Sequence, residues 1–310
     1  MHFDKGEGLK AKAYRLTLKT NFLLILNRGI ALALIVGALP FVFCARSYAG
    51  EVTANEGTEV KENRWLDDYS KPVGFTYSAQ AKFQTSYLWR GLYCGAMNIQ
   101  ADASVGYGGL YLNMWWNIGT EDWSFKTFQP EVDFTLGFSR WGINLYALYI
   151  HNFKHGFFDF HPYDSGRNRL EVGLRYTVSS KLPLSFLWAT RFTNADSYIQ
   201  NGDTIHAYSS YAEISYTHTF AYDISLYGAI GITPWKSQYT RYQRGFAVQL
   251  VELRLRKDWS VSDHCGLMLQ GVLSINPSAL AADKSTAEWH SYTPDNQSIN
   301  ANIAFGVYLK

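Results

Sequence analysis

This chain of 310 residues has few cysteines, a nearly balanced charge and few long apolar runs. Three Cys at wide spacing do not form a metal-binding pattern. No glycine-rich phosphate loop or dinucleotide signature occurs either, so we predict no metal and no other cofactor. A net charge of +2 gives no reason to expect nucleic acid as a partner. Residues 50–310 contain no apolar run long enough for a membrane helix.

One apolar run does occur near the start of the chain. Gly29 to Cys44 carries no charge and follows a basic segment, and small residues then surround Tyr48. This order is typical of a secretory signal peptide, so we predict that 1–49 is cleaved after Ala49. In the alternative, Asn21 to Cys44 stays in place as a membrane anchor. Residues 50–71 are polar, and we predict a short periplasmic lead-in there.

Alternating apolar and polar residues dominate the remainder, 72–310. The composition is rich in aromatics, with 22 Tyr, 19 Phe and 10 Trp. In 73–91, apolar residues occupy every second position from Val73 to Trp89 except Thr85, and the positions between them are polar except Gly74 and Leu88. Successive side chains of a strand point to opposite faces, so such a segment has one apolar and one polar face.

Twelve segments show this alternation, and the connections between them are alternately tight and long. The predicted strands are 73–91, 97–107, 109–118, 128–139, 142–152, 168–178, 183–193, 208–220, 223–233, 246–257, 264–275 and 298–309. An even strand count with tight turns on one rim and long loops on the other is typical of an outer-membrane barrel. We therefore predict an all-β fold, a transmembrane antiparallel up-and-down barrel of about twelve strands.

The height of the aromatic residues provides a second criterion for this fold. On the apolar face, two aromatic girdles enclose an aliphatic band, as expected where a barrel meets the two membrane interfaces. The predicted outer girdle contains Tyr87, Trp89, Trp116 and Phe192. The predicted periplasmic girdle contains Phe75, Tyr107, Phe138, Tyr176, Phe220 and Trp259.

The polar face carries charge, which must point into the lumen because charge facing lipid is costly. The predicted lumen-lining residues are Lys82, Arg90, Asp102, Glu131, Asp133, Glu171, Arg175, Arg191, Glu213, Glu252, Arg254 and Arg256, with Arg169 beside them. Two alternatives stay open. The charged walls line a narrow aqueous pore for small polar solutes, or the same groups pair across the lumen and plug it.

The sequence leaves two alternatives to a channel. A closed barrel could bind an outside ligand or partner through its loop aromatics, namely Phe157, Phe158, Phe160, Tyr163, Tyr239, Tyr242, Trp289 and Tyr292. A lipid-modifying hydrolase would need a nucleophile with a base, and His161 with Ser165 is only a loose match to such a site. We therefore predict no enzymatic activity. The topology also places Cys94 and Cys265 at opposite rims, too far apart for a disulfide.

Several runs of the first half resemble one bacterial family. Thr85 to Gly91 (TSYLWRG), Gly109 to Trp115 (GLYLNMW), Pro130 to Phe138 (PEVDFTLGF) and Asn144 to Tyr149 (NLYALY) are similar to segments of the TorF-like porins. The resemblance covers about 73–155 and implies an outer-membrane barrel with no established substrate. The partners it implies are outer-membrane lipid and the barrel-assembly machinery. Barrels usually end on an aromatic residue, whereas this chain ends on Lys310.

Overall fold

The computed structural model describes residues 74–120, 128–153, 156–161, 168–242, 244–280 and 298–309. The predictions for 1–49 and 50–71 lie outside this part of the chain. The strands are β1 Phe75–Gln84, β2 Tyr87–Trp89, β3 Leu92–Gly95, β4 Asn98–Tyr107, β5 Leu110–Thr120, β6 Phe128–Arg140, β7 Ile143–Asn152, β8 Arg169–Thr177, β9 Leu184–Arg191, β10 Ser197–Gln200, β11 Asp203–His206, β12 Ser210–Phe220, β13 Ile224–Thr233, β14 Ala247–Ser260, β15 Cys265–Ile275 and β16 Ile299–Leu309.

Twelve of these strands close into one barrel, in the order β1-β16-β15-β14-β13-β12-β9-β8-β7-β6-β5-β4. All neighbours are antiparallel, and β1 pairs with both β4 and β16 to close the ring. The predicted fold class is confirmed. Eleven predicted strands agree with the observed bounds to within a few residues, and only the first is substantially wrong. The pairs β2–β3 and β10–β11 are separate hairpins.

Two-residue turns join several strands at the periplasmic rim. Gly108 and Gly109 have φ of 64° and 98°, and Trp141 and Gly142 have φ of 57° and 76°. Positive φ at both central residues is the conformation whose twist matches that of a β-hairpin. The connections at the opposite rim are longer, and one contains a short helix, Pro277–Leu280. None of the helices in the described residues is long and apolar enough to cross a membrane.

The two faces of the barrel wall differ sharply in polarity. Leu112, Leu136 and Ile303 point outward and are each more than half exposed. The inner positions of the same strands carry polar side chains such as Asn117 and Asn302, which are buried. A soluble protein would bury its leucines and expose its amides. This inverted distribution is the one a barrel adopts when hydrocarbon surrounds it.

Aromatic residues of the girdle predicted for the tight-turn rim lie on the outer wall there. The position of these rings along the strands agrees with the prediction, because Phe75 pairs with Tyr107 at the ends of β1 and β4. These two side chains are 69 % and 64 % exposed on the outer wall. In the outer girdle, Phe192 is exposed as expected, but Tyr87 and Trp89 are not on the wall at all.

The first strand is shorter than predicted because the chain leaves the wall after Gln84. A strand over 73–91 would extend about 60 Å at roughly 3.3 Å per residue, twice the length that a tilted membrane strand needs. Residues 87–95 instead fold into the β2–β3 hairpin, which turns at Arg90 and Gly91 with φ of 48° and 77°.

Tyrosine rings cover glycines of adjacent strands on the inner face. The pairs are Tyr111 over Gly137, Tyr146 over Gly173, Tyr211 over Gly231 and Tyr308 over Gly266. In each pair, a Cβ on the glycine would overlap the ring. The missing side chain therefore makes a slot for the ring, and the ring covers backbone that glycine would leave bare.

Candidate functional site

The β2–β3 hairpin crosses the lumen from one wall to the other. At its base, the backbone N–H of Ser86 donates to Asn302 Oδ1 on β16 (3.2 Å), and the N–H of Ala96 donates to the carbonyl of Thr120 (2.8 Å). At its tip, Asn276 Nδ2 donates to the carbonyl of Gly91 (3.2 Å). A Cβ at Gly91 would overlap the backbone carbonyl of Gln249 on β14, so the tip lies directly against the far wall.

Arg90 at the tip forms a buried ion pair with the wall. Its two terminal nitrogens each donate to one carboxylate oxygen of Glu171 on β8, both at 2.7 Å. The guanidinium carbon also lies 4.7 Å from the ring centroids of Trp89 and Tyr211. The Arg90 side chain is 9 % exposed and that of Glu171 is 0 % exposed. A two-pronged, stacked pair of this kind is specific for arginine.

A second arginine supports this ion pair. Arg191 lies directly opposite Glu171 in the β8–β9 register, with Nε 4.0 Å from the carboxylate. The predicted strands 168–178 and 183–193 place these two residues on neighbouring strands, as the structure does. The Arg191 guanidinium lies 5.1 Å from the centroid of Trp89, so the hairpin is held from two sides.

Tyr239 joins the same cluster from the outer connection between β13 and β14. It lies in the 3₁₀ turn Gln238–Thr240, donates to Glu171 at 3.5 Å and accepts a hydrogen bond from Arg90. Its ring centroid is 5.6 Å from that of Tyr211 and 4.7 Å from the Arg191 guanidinium. Burial raises the pKa of the Tyr239 phenol, although both arginines lower it, so the phenol stays protonated as a donor.

Buried Asp196 ties two outer connections together beside the hairpin. Its carboxylate accepts hydrogen bonds from the Ser209 N–H (2.6 Å), the Ser209 hydroxyl (2.5 Å) and the Tyr242 hydroxyl (3.2 Å). Arg191 also donates to Gln238 in the loop that contains Tyr239. These contacts fix the connection after β9 against the connection after β13, so the loops that surround the hairpin are packed together.

Charged pairs continue toward the periplasmic side of the lumen. Arg175 on β8 lies 3.5 Å from Glu213 on β12, and Glu213 also accepts hydrogen bonds from Tyr211 (2.8 Å) and Tyr227 (2.9 Å). The exposed fraction of the Arg175 side chain is 33 %. That of Glu171, which lies four residues away on β8 and nearer the hairpin, is 0 %. The paired charges of the lumen thus extend from the hairpin toward the tight-turn rim.

The remaining basic residues of β14 pair along their own strand. Arg254 lies 2.7 Å from Glu252, and Arg256 lies 2.8 Å from Asp258. The Arg254 guanidinium also lies 4.9 Å from the Tyr227 centroid. These contacts neutralise each guanidinium locally, so the wall below the hairpin carries dipolar pairs in place of a single-sign surface.

The acidic residues of β6 and β4 have weaker partners. Tyr87 of the hairpin donates to Glu131 at 2.8 Å, and Asn113 donates to Asp102 at 3.1 Å. Asp133 Oδ1 is buried and accepts no hydrogen bond from the protein. Lys82 of β1 is half-buried on the inner alternation of its strand. All twelve predicted lumen residues thus lie on the inner face or, for Arg90, on the hairpin within it.

The sequence did not identify four residues of the site. Three of them were assigned to other surfaces, and one was not singled out. Tyr87 and Trp89 were predicted to face lipid, but they pack inside the lumen because the chain turns inward after β1. Tyr239 was predicted among the loop aromatics available to an outside ligand, yet it is 5 % exposed against Arg90. Tyr211 was not singled out. The excessive length of the first predicted strand was the available signal.

The remaining candidates are the hydrolase residues, the cysteine thiol and a metal site. His161 Nδ1 lies 2.5 Å from Asp159 and is largely exposed, while Ser165 lies outside the described residues. Cys94 carries a free thiol. Among the described residues, no group of three His, Cys, Asp or Glu side chains could hold a metal ion.

No protein-family model and no curated protein matches the sequence. The resemblance to TorF-like porins therefore stays a prediction. Among solved structures, the NanC porin shares 12 % identity at a TM-score of 0.43, covering 76 % of this chain and 100 % of that chain. Salmonella typhi OmpF in complex with daunomycin shares 8 % identity at a TM-score of 0.35 (76 % and 97 %). A Pseudomonas aeruginosa FadL homologue shares 8 % identity at a TM-score of 0.34 (76 % and 88 %). Likenesses at TM-scores below 0.5 carry no functional weight.

Proposed function

We propose that this chain is an outer-membrane channel for small polar solutes, narrowed by a hairpin that folds into its own lumen. The observation that carries the proposal is the β2–β3 hairpin, pinned by the Arg90–Glu171 pair inside a polar barrel. Apolar residues such as Leu136 cover the outside of that barrel, and lipid would surround them. Export and the assembly machinery would then bring the chain to its membrane.

Buried polar atoms of the inner wall support a hydrated lumen. Asp133 Oδ1, Ser139 Oγ and Ser274 Oγ are buried without a hydrogen-bond partner in the protein. Buried polar groups are almost always satisfied, by protein or by ordered water, because an unsatisfied group costs about 1–3 kcal/mol. Water that satisfies these atoms would lie along the inner wall, from Asp133 to Ser139 at the tight-turn rim, and a hydrated path is what a polar solute needs.

The charge pattern suggests the class of solute. Arg175 lies beside Glu213, and Arg254 beside Glu252, so both of these positive groups have a negative neighbour. A pore with rings of a single charge selects ions of the opposite sign. Paired charges with phenol groups between them offer donors and acceptors without a net field. We therefore expect neutral or zwitterionic polar solutes of small size to pass, with weak preference between cations and anions.

Planar-bilayer recording with the purified full chain tests this function. We expect a small, steady single-channel current, and a larger current when 86–96 is replaced by a short turn. If the replacement variant is as silent as the parent, the lumen is closed independently of the hairpin and the channel proposal fails. The control for folding is the shift in gel mobility on heating, which should be the same in the parent and in the replacement variant.

The second candidate is a closed barrel whose outer loops bind a ligand or partner. It is favoured by the burial of the hairpin contacts, since Glu171 and Tyr211 are both 0 % exposed. A parent chain that is silent in bilayers, together with a conducting hairpin-replacement variant, would support this candidate.

A further inference from the structure

The outer connection after β7 folds back against the outside of the barrel. Asn168 donates from Nδ2 to the carbonyl of Gly156 (2.7 Å), and its Oδ1 contacts His151 Nδ1 (3.0 Å). The backbone N–H of Phe158 donates to the Tyr149 hydroxyl (3.4 Å). Asn168 is fully buried. These bonds fix the path of 156–158, which therefore has a defined position on the wall.

Aromatic rings form the contact between this segment and the wall. The centroid of Phe157 lies 5.0 Å from that of Tyr149, 4.8 Å from that of His151 and 6.3 Å from that of Phe134. Phe134 follows Asp133 of the inner face and pairs in register with Tyr149, so both rings belong to the outer face. The segment thus covers the lipid side of β6 and β7.

The same segment presents bare rings to its surroundings. Phe153 and Phe157 are each 52 % exposed, and Phe158 is 74 % exposed. Phe158 also has a φ of 68°, a conformation that a bulky residue rarely adopts. Backbone strain of this kind persists where the surroundings compensate for it. Exposed rings held this way indicate a partner that accepts apolar surface.

The position of the rings identifies that partner. Tyr149 lies three residues before the end of β7, about 10 Å along the strand at roughly 3.3 Å per residue. Phe134, which Phe157 contacts, lies two residues from Leu136 on the same face of β6, so the patch adjoins the apolar wall. The exposed His161, which contacts Asp159, follows directly in sequence, so polar side chains begin where the aromatic patch ends. Aromatic rings flanked by polar groups are the side chains that favour a membrane interface.

We propose that Phe153, Phe157 and Phe158 insert between the acyl chains of the outer leaflet and anchor this loop in the membrane. This inference depends on the membrane position of the barrel, which belongs to the proposed function. It also removes Phe157 and Phe158 from the surface available to a soluble ligand. Hydrocarbon contact would offset the exposure of the three rings and the strain at Phe158.

Spin labels on cysteine variants of the full chain in phospholipid vesicles test this proposal. Phe158→Cys is compared with Leu136→Cys on the wall and with Ile199→Cys in the β10–β11 hairpin, both of which replace residues that are 62 % exposed. The parent chain, treated alike, gives the background. Oxygen, which concentrates in hydrocarbon, and a water-soluble nickel chelate report the surroundings of each label.

We expect the labels at 158 and 136 to respond to oxygen, and the label at 199 to respond to nickel. Nickel access at 158 with oxygen access at 136 would overturn the anchor while leaving the membrane barrel intact. Nickel access at 136 would instead refute the membrane position itself. Protection of 158 from both reagents would also overturn the proposal, because a second protein copy would then cover the patch. Phe158→Trp, quenched by brominated acyl chains, repeats the test with an aromatic residue in place.

Discussion

Removing the positive charge of Arg90 should release the hairpin from the lumen. Glu171 is fully buried, and Arg90 supplies two hydrogen bonds of 2.7 Å to its carboxylate. Removing one partner of a buried ion pair costs about 3–5 kcal/mol, because the other charge stays buried without compensation. Arg191 and Tyr146 still contact Glu171, so the lower end of that range applies.

A loss of about 3 kcal/mol corresponds to a factor of roughly 150 in the equilibrium between the docked and undocked hairpin. The substitution shifts this equilibrium toward the undocked hairpin, because undocking exposes the unpaired Glu171 carboxylate to water. In Arg90→Ala we therefore expect frequent openings to a larger single-channel conductance. The thiol of Cys94, which is carried by the hairpin, should also react faster with a water-soluble maleimide.

Two further variants make this prediction specific. Arg256→Ala removes an arginine of similar burial near the tight-turn rim, where its guanidinium contacts Asp258, and it should leave conductance and Cys94 labelling close to those of the parent. The double variant Arg90→Ala/Glu171→Ala removes both charges, so its effect should be smaller than the sum of the two single effects. Equal conductance in the parent and Arg90→Ala would refute the ion pair as the element that holds the hairpin.

Three other perturbations have defined outcomes. Arg254→Ala and Lys82→Ala should each shift the reversal potential toward cation preference in a salt gradient, and an unchanged potential would remove that residue from the conducting path. Gly173→Ala should destabilise the barrel by about 1–3 kcal/mol in urea unfolding, because a methyl group there overlaps the Tyr146 ring. Gly271→Ala in β15 is the matched control, because a methyl group there meets open space. Burial raises the pKa of the Tyr242 phenol above its unfolded value of about 10, so its contribution to stability should be complete below pH 10 and fall as the pH rises through the folded pKa. Tyr242→Phe should flatten that part of the pH profile, and a profile identical to the parent's would contradict the assignment.

The barrel wall could be predicted from the sequence because its information is local. Alternation along Ile99 to Tyr107 specifies which face meets lipid, and two-residue turns such as Gly108-Gly109 specify where each strand ends. Both signals need only adjacent residues. The twelve strands and the periplasmic girdle follow from them without any knowledge of the neighbouring strands.

The hairpin could not be predicted in the same way, because its contacts are long-range. Tyr87 and Trp89 continue the alternation of β1, and period alone cannot tell a ring on the outer wall from a ring on an inserted hairpin. The partner of Arg90 is 81 residues away in the sequence, on the far wall. Only the length of the first predicted strand, against the thickness of a membrane, indicated that the chain had to leave the wall.

The tether of the hairpin has a consequence for the order of folding. The hairpin leaves the first strand of the barrel, but Asn276, which binds its tip, follows the eleventh, 185 residues later. Seating the tip therefore requires a nearly finished ring, and the entropy lost in closing so long a loop is repaid only at that stage. A nascent barrel would pass through a wider, unobstructed form before the tip takes its place, so maturation of this protein ends with a narrowing.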